Sequence, residues 1–293
     1  MTTSIRTVTI LGTGTMGQGI AQVTACAGLT TRVFDAAPER AEHAIAAVGA
    51  QMAKLVGKGK MSEEQRGRAL AALAVAKDVR SACEGADLVI EAAPESMDLK
   101  VKLLGEVVAA APAHALVASN TSSLSLTEIG ARVGAAERTV GLHFFNPPPV
   151  MELLEVVRGI GTSDATVDAA LAFARVIGKT PIVVRDVPGF ATSRLGVILG
   201  AEAIRMLESG VASVEDIDRA MELGYRHPMG PLKLTDLVGL DVRLAILDHL
   251  HRELGEQFRA PALLRQMVRA GKLGKKTGEG FYVWKDGVAQ PRP

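Results

Sequence analysis

Up to about Arg185 the chain alternates short β-branched and apolar runs with longer stretches of helical spacing. The runs are TVTIL (7 to 11), TTRVF (30 to 34), DLVIEA (87 to 92), ALVAS (115 to 119), TVGLHF (139 to 144), ELLEVV (152 to 157) and PIVV (181 to 184). Strands separated by helix-length segments predict βαβ units and a mainly parallel sheet covered on both faces. Between the second and third runs lie two helical patterns, 39 to 56 and 62 to 73, separated by Gly57, Lys58, Gly59 and Lys60. That is more chain than a plain crossover needs. It predicts a helical hairpin inserted near 39–75 and projecting from the sheet.

From Asp186 the texture becomes helical. Patterns run from Arg194 to Glu208, from just after Ser213, and near Leu232 to Val238, Val242 to Leu254 and Ala262 to Ala270, with FYVW (281 to 284) the one extended run. Ser213, followed by Glu215 and Asp216, reads as a helix cap with acids suited to the positive end of the dipole. The predicted fold class is α/β: a mainly parallel sheet domain over 1–186, then an all-α domain over 187–293. Pro188 and Gly189 interrupt both periodicities at the join.

Composition adds limits. Lys+Arg 33 against Asp+Glu 32 gives a net charge of +1, so no global field draws in nucleic acid or an anionic membrane. Any anion site is local. Cys26 and Cys83 are the only two cysteines in 293 residues, which is no disulfide framework and fits a reducing compartment. No uncharged apolar run reaches the length that spans a bilayer. The amino end enters TVTIL without the basic segment, apolar stretch and cleavage site of a secretory signal, so a cytoplasmic location is expected.

The first strand runs directly into Gly12-Thr-Gly14-Thr15-Met16-Gly17, which opens a helical pattern. This context turns a weak glycine pattern into a dinucleotide fingerprint. Gly12 permits the tight turn, Gly14 lets the backbone approach a pyrophosphate, and Gly17 allows close packing of helix on strand. The second strand ends at Asp35, 23 residues beyond Gly12, where a carboxylate accepts from the ribose hydroxyls and repels a 2′-phosphate. Ala36 and Ala37 offer no cation there, although Arg32 and Arg40 are nearby in sequence. NAD is therefore expected over NADP.

GLHFFNPPP (141 to 149) sets one imidazole, His143, at the end of a predicted strand that the prolines stop. Glu155 follows on ELLEVV, which a turn at the prolines would fold back beside the preceding strand. A carboxylate among apolar same-face neighbours is expensive unless paired, and paired with His143 it would fix the tautomer of a proton acceptor. SNTSS (119 to 123) lies at the carboxyl end of another strand, the edge where open parallel sheets bind ligands. Ser123 is read as the cap of a helix starting near Leu124, and Ser122 as a substrate contact.

Taken together, GTGTMGQGIA, EAAPE with Lys100 nearby, SNTSSL, GLHFFNP, LLEVV, VPGF and GKKTGEGFY resemble the L-3-hydroxyacyl-CoA dehydrogenase family, particularly its short 3-hydroxybutyryl-CoA members, over nearly the whole chain. The resemblance implies a Rossmann-type first domain, a helical second domain that dimerises, and reversible NAD-linked oxidation of a 3-hydroxyacyl-CoA. It makes His143 the general base, Glu155 its partner and Ser122 a ligand of the substrate oxygen. Glu95 and Lys100 fall near the nicotinamide end, with Asn120 and Asn146 completing the cofactor contacts and Asn146 also reaching substrate. It further assigns Lys54, Lys58 and Lys60 to the phosphates of coenzyme A. One position departs: where the family has Asn, helping to hold the substrate oxygen, this chain has Ser193, shorter but still a donor. Two other readings stay open, a lambda-crystallin-like dehydrogenase of a hydroxy acid without CoA, and a nucleotide-binding protein with little catalysis.

Overall fold

A computed structural model describes residues 5–291. The chain forms two compact units, Met1–Val187 and Pro188–Pro293, dividing one residue beyond the expected join. In the first unit the elements run β1 (Thr7–Leu11), α1 (Thr15–Cys26), β2 (Thr30–Phe34), α2 (Arg40–Gly57), α3 (Glu63–Ala71), β3 (Leu73–Val75), α4 (Val79–Cys83), β4 (Leu88–Glu91), α5 (Met97–Ala110), β5 (Leu116–Ser119), α6 (Leu126–Arg132), β6 (Thr139–Phe144), β7 (Leu153–Arg158), α7 (Asp164–Val176) and β8 (Thr180–Arg185). They build one eight-stranded sheet in the order β3-β2-β1-β4-β5-β6-β7-β8. The strands β3 through β6 in that order are parallel, β7 is antiparallel to β6, and β8 runs parallel to β7. This is a Rossmann-type sheet with one reversed strand pair at its far side. The central strands read as continuous apolar runs because both faces are covered: Ile10, Leu88, Val89 and Ile90 are fully buried.

Two expectations need correction here. Leu73–Val75 is not the tail of a helix but a third parallel strand, paired with Thr31, Arg32 and Val33. Three residues are too few to display a period of two, and the alanines before them favour helix. It follows that α2 and α3 are not an insertion; they are the crossover from β2 to β3. Ala41, Val48, Met52 and Ala69 bury this helix pair in the same core as Val8 and Ile10. The helix expected near Leu124 starts at Leu126 instead, capped by Ser125, whose Oγ accepts from the Glu128 N–H at 3.1 Å. Thr121 Oγ1 accepts from the N–H groups of Ser123 (3.2 Å) and Leu124 (2.8 Å), holding those residues in a turn and delaying the helix. Ser123 is therefore not the cap.

The second unit contains α8 (Thr192–Glu208), α9 (Val214–Gly224), α10 (Pro231–Val238), α11 (Leu240–Leu254) and α12 (Ala262–Arg269), then β9 (Val283–Lys285) and β10 (Val288–Gln290). The last two form an antiparallel ribbon, so the unit is mainly but not wholly helical. Ser213 caps α9 as expected. Buried Asp236 fastens the ribbon by accepting from the Phe281 and Tyr282 N–H groups and from Trp284 Nε1, at 2.8, 2.9 and 2.9 Å. A Cβ on Gly280 would overlap that carboxylate, which explains the second glycine of GEG as a packing requirement. Among the described residues no helix is long and apolar enough to cross a membrane.

Candidate functional site

The carboxyl ends of β1, β2, β4, β5 and β6 lie along one edge of the first unit's sheet, and most of the expected residues gather there. At β1 the chain turns through Gly12 at φ +92°, a conformation that favours glycine. A Cβ on Gly12 would sit 2.8 Å from the Ala92 carbonyl oxygen, and one on Gly17 would overlap the Gly12 carbonyl. Gly14 is different: no protein atom lies within 4 Å of where its Cβ would be. It is the N-cap of α1, no side chain caps it, and exposed Thr15 and half-buried Met16 open the helix without an acid in the first turn. Uncapped N–H groups beside an open glycine are what a pyrophosphate needs.

Asp35 lies at the carboxyl end of β2. Its Oδ2 accepts from the Thr13 N–H and hydroxyl, each at 2.8 Å, and its Oδ1 from the Ala37 N–H at 3.0 Å; Arg40 approaches to 3.9 Å. Burial alone would raise its pKa. The hydrogen bonds from Ala37 and Thr13, with the Arg40 charge, outweigh that and hold the carboxyl below its ordinary range. The side chain is thus ionised and fixed by the same turn that carries the glycines.

At the other side of β1, a network forms around Lys100, whose side chain is 1% exposed. Its Nζ donates to Glu91 Oε1 at 2.7 Å and to the Ala93 carbonyl at 3.2 Å, and lies 3.3 Å from Glu95 Oε2. Glu91, fully buried at the end of β4, also accepts from Ser119 Oγ at 2.6 Å and the Ala93 N–H at 2.6 Å. Glu95 in turn accepts from Thr121 Oγ1 at 2.5 Å, the Ser122 N–H at 3.1 Å and Ser123 Oγ at 3.2 Å. Burial pushes Glu95 up, but Lys100 first and then these donors bring its pKa below the ordinary value. Asn120 closes the gap to β6, its Oδ1 accepting from the Phe144 N–H at 2.9 Å.

His143 and Glu155 face each other directly across the antiparallel β6 and β7. The ring Nδ1 lies 2.7 Å from Glu155 Oε2, with Glu155 fully buried and His143 7% exposed. Phe145 stacks obliquely beside the imidazole, ring centroids 4.7 Å apart. The proline turn that follows is anchored twice. Pro148 packs where a Cβ on Gly19 would be, its Cδ 2.6 Å from that point, and Lys179 Nζ donates to the carbonyls of Pro148 (2.6 Å) and Met151 (2.7 Å). Asn146 is exposed on this turn.

Lys54, near the end of α2, and Lys58 and Lys60 just beyond it are exposed. Ser193 belongs to the second unit, where it is half-buried in the first turn of α8. Sequence reasoning missed Glu91, Lys179 and Gly19. The signal for Glu91 was an acid ending an otherwise apolar strand, and for Gly19 a glycine in a helix two residues past the fingerprint.

Residues 7–187 match the NAD-binding domain of 3-hydroxyacyl-CoA dehydrogenase, and residues 189–284 match its C-terminal domain. The chain belongs to the 3-hydroxyacyl-CoA dehydrogenase family. Its first unit is accordingly the NAD-binding one and the protein is an NAD-dependent oxidoreductase. It is 42% identical to a probable 3-hydroxybutyryl-CoA dehydrogenase of Bacillus subtilis over 96% of this chain and 98% of that one. It is 41% identical to the 3-hydroxybutyryl-CoA dehydrogenase of Bradyrhizobium diazoefficiens, over 100% and 99% of the two chains. The crystal structure of (S)-3-hydroxybutyryl-CoA dehydrogenase from Ralstonia eutropha superposes with a TM-score of 0.92 at 43% identity, covering 97% of this chain and all of that one.

The Asp35 geometry carries a prediction. kcat/KM for NADH is expected to exceed that for NADPH by more than tenfold, and Asp35→Ala to narrow the ratio by removing the repulsion. Parallel steady-state assays check it; a preference of the unmodified protein for NADPH would remove Asp35 from the ribose site.

Proposed function

We propose that the protein oxidises an L-3-hydroxyacyl-CoA, of which 3-hydroxybutyryl-CoA is the first choice from its relatives, to the 3-oxoacyl-CoA, and catalyses the reverse reduction. The observation that carries this reading is the buried His143–Glu155 pair at 2.7 Å, on the sheet edge where the dinucleotide turn also ends. With Glu155 ionised, Nδ1 holds its proton toward the carboxylate and Nε2 becomes the basic nitrogen. His143 then takes the C3 hydroxyl proton, while the carboxylate behind it steadies the imidazolium. In reduction the same ring returns the proton to the oxygen. Ser122, whose backbone is fixed by Glu95, and Ser193 donate to the substrate oxygen.

Gly12, Gly14, Thr15, Met16 and Gly17 hold the pyrophosphate, Asp35 the ribose, and Glu95, Lys100, Asn120, Ser122 and Asn146 the nicotinamide end; Asn146 also contacts substrate. When bound, NAD supplies the acceptor for the C3 hydride. Lys54, Lys58 and Lys60 engage the CoA phosphates. A second copy of the chain covers the second unit's exposed apolar residues, among them Leu195, Leu223 and Tyr225, giving a homodimer that works in the cytoplasm.

The test is loss of NADH absorbance with acetoacetyl-CoA against free oxo acids. Rapid loss with the thioester is expected. Loss confined to the free acids would favour the hydroxy-acid reading, and NADH binding without turnover would end the catalytic one.

A further inference from the structure

The turn between β6 and β7 contains Pro147, Pro148 and Pro149, and prolines in succession supply no N–H. Its own backbone meets only part of what its carbonyls need: the Pro147 oxygen accepts from the N–H groups of Val150 at 2.9 Å and Met151 at 3.1 Å. The carbonyls of Pro148 and Met151 are met instead by Lys179 Nζ, from 31 and 28 residues away in the chain. Loops usually run over the surface, where water satisfies such oxygens. Here a buried ammonium does so.

The lysine is itself placed by the end of α7. Gly178, at φ +72°, turns the chain so that its N–H donates to the Arg175 carbonyl at 3.0 Å and the Lys179 N–H to the Ala174 carbonyl at 2.8 Å. Thr180 then enters β8 opposite Leu153. Burial pushes the Lys179 ammonium below the ordinary lysine pKa, with the Glu152 charge only partly offsetting it. Burying a charge to satisfy neutral carbonyls is costly, and its effect is a turn fixed from inside the protein.

What the turn adjoins gives that fixing a use. On one side Pro148 is seated against α1, the helix that starts at the candidate pyrophosphate site: its Cδ, Cγ and Cβ lie 2.6, 2.7 and 3.1 Å from where a Cβ on Gly19 would be. On the other side the turn begins at Phe145, whose ring stacks on the His143 imidazole. The ladder pair at its mouth, Phe144 with Leu154, adjoins His143 with Glu155. One clamped segment thus links the dinucleotide helix to the imidazole.

We infer that Lys179 is a positioning residue for the reaction: by holding the proline turn between α1 and the strands β6 and β7, it fixes the His143 imidazole relative to a dinucleotide bound at α1. This rests on the reading of His143 as the proton acceptor. Lys179 acts through the turn, and a displacement of about 1 Å at a reacting group costs up to roughly a hundredfold in rate.

The experiment is a double-variant cycle on the full-length protein, reading kcat with acetoacetyl-CoA and NADH, the Kd for NADH, and thermal melts. Lys179→Met is expected to lower kcat at least about tenfold while the NADH Kd stays within about threefold, and Lys179→Arg, which keeps two donors, to recover most of the loss. In a His143→Gln background Lys179→Met should change the residual kcat by less than about twofold, because the group it positions is already gone. Gly19→Ala, which presses on Pro148 from the opposite side, should behave in the same way, and it carries the test if Lys179→Met does not fold. An equal fractional loss in both backgrounds overturns the inference and leaves the lysine a stabiliser of the fold. So does a loss confined to NADH affinity, or an unchanged kcat in folded Lys179→Met. If His143→Gln alone keeps near-normal turnover, or the thioester is not reduced at all, the underlying reading of the reaction fails and the inference with it, a result seen before Lys179 is altered.

Discussion

Replacing His143 with alanine is expected to lower kcat by at least about a hundredfold, the low end of what a positioned proton acceptor supplies, while NADH affinity stays within about threefold. The two halves of that outcome come from different parts of the fold. The dinucleotide turn belongs to β1 and α1, and Asp35 is held there by Thr13 and Ala37. His143 is instead fixed by β6 and β7 and by Glu155. A buried site raises the concern that alanine merely unsettles the sheet. His143→Gln separates the effects, since an amide N–H can still donate toward Glu155 but cannot serve as a base. That variant is expected to melt close to the unmodified protein and to lose a similar factor in kcat. Single-turnover rates with saturating NADH, read beside thermal melts, check both. Retention of near-normal turnover in either variant would take the imidazole out of the mechanism.

Much of this site was legible because its parts are local or lie on strands with a plain period. The turn at Gly12 to Gly17 announces itself by spacing, and the end of β2 follows from counting forward to Asp35. The pairing of His143 with Glu155 could be anticipated because a proline turn between two strands brings their facing residues together. What escaped notice depends on packing between segments far apart in sequence. Pro148 against Gly19 joins residues whose closeness no periodicity reveals. Glu91 looked like the polar end of a strand, yet it accepts from Lys100, nine positions on, and Ser119, 28 positions on. The third strand was hidden for another reason. Leu73, Ala74 and Val75 carry too little pattern to outvote the helical alanines before them, and only the edge of β2 makes them a strand.

Substituting Lys100 with methionine is expected to destabilise the first unit by about 3–5 kcal/mol, the usual penalty for removing one partner of a buried ion pair. The side chain is 1% exposed, and Glu91 beside it is fully buried, so the remaining carboxylate would face desolvation without its cation. Methionine nearly matches the volume, which keeps the loss from being one of packing. The charge interpretation makes a sharper demand on the double variant Lys100→Met with Glu91→Gln. A neutral amide still accepts from the Ala93 N–H and meets Ser119 Oγ, so the pair of changes removes both charges while preserving hydrogen bonds to Glu91's neighbours. It should recover at least half of the lost stability, where independent effects would add. Glu95 provides a second reading of the same network, because Lys100 is the charge that most lowers its pKa and its carboxylate holds the Ser122 N–H. Loss of Lys100 should therefore also raise KM for the thioester in the single variant, through a less ordered 121–123 turn. Urea unfolding followed by far-UV circular dichroism measures the stability terms. A single-variant cost below about 1 kcal/mol, or a double variant no more stable than the single one, would mean that the cluster is not held together by its charges.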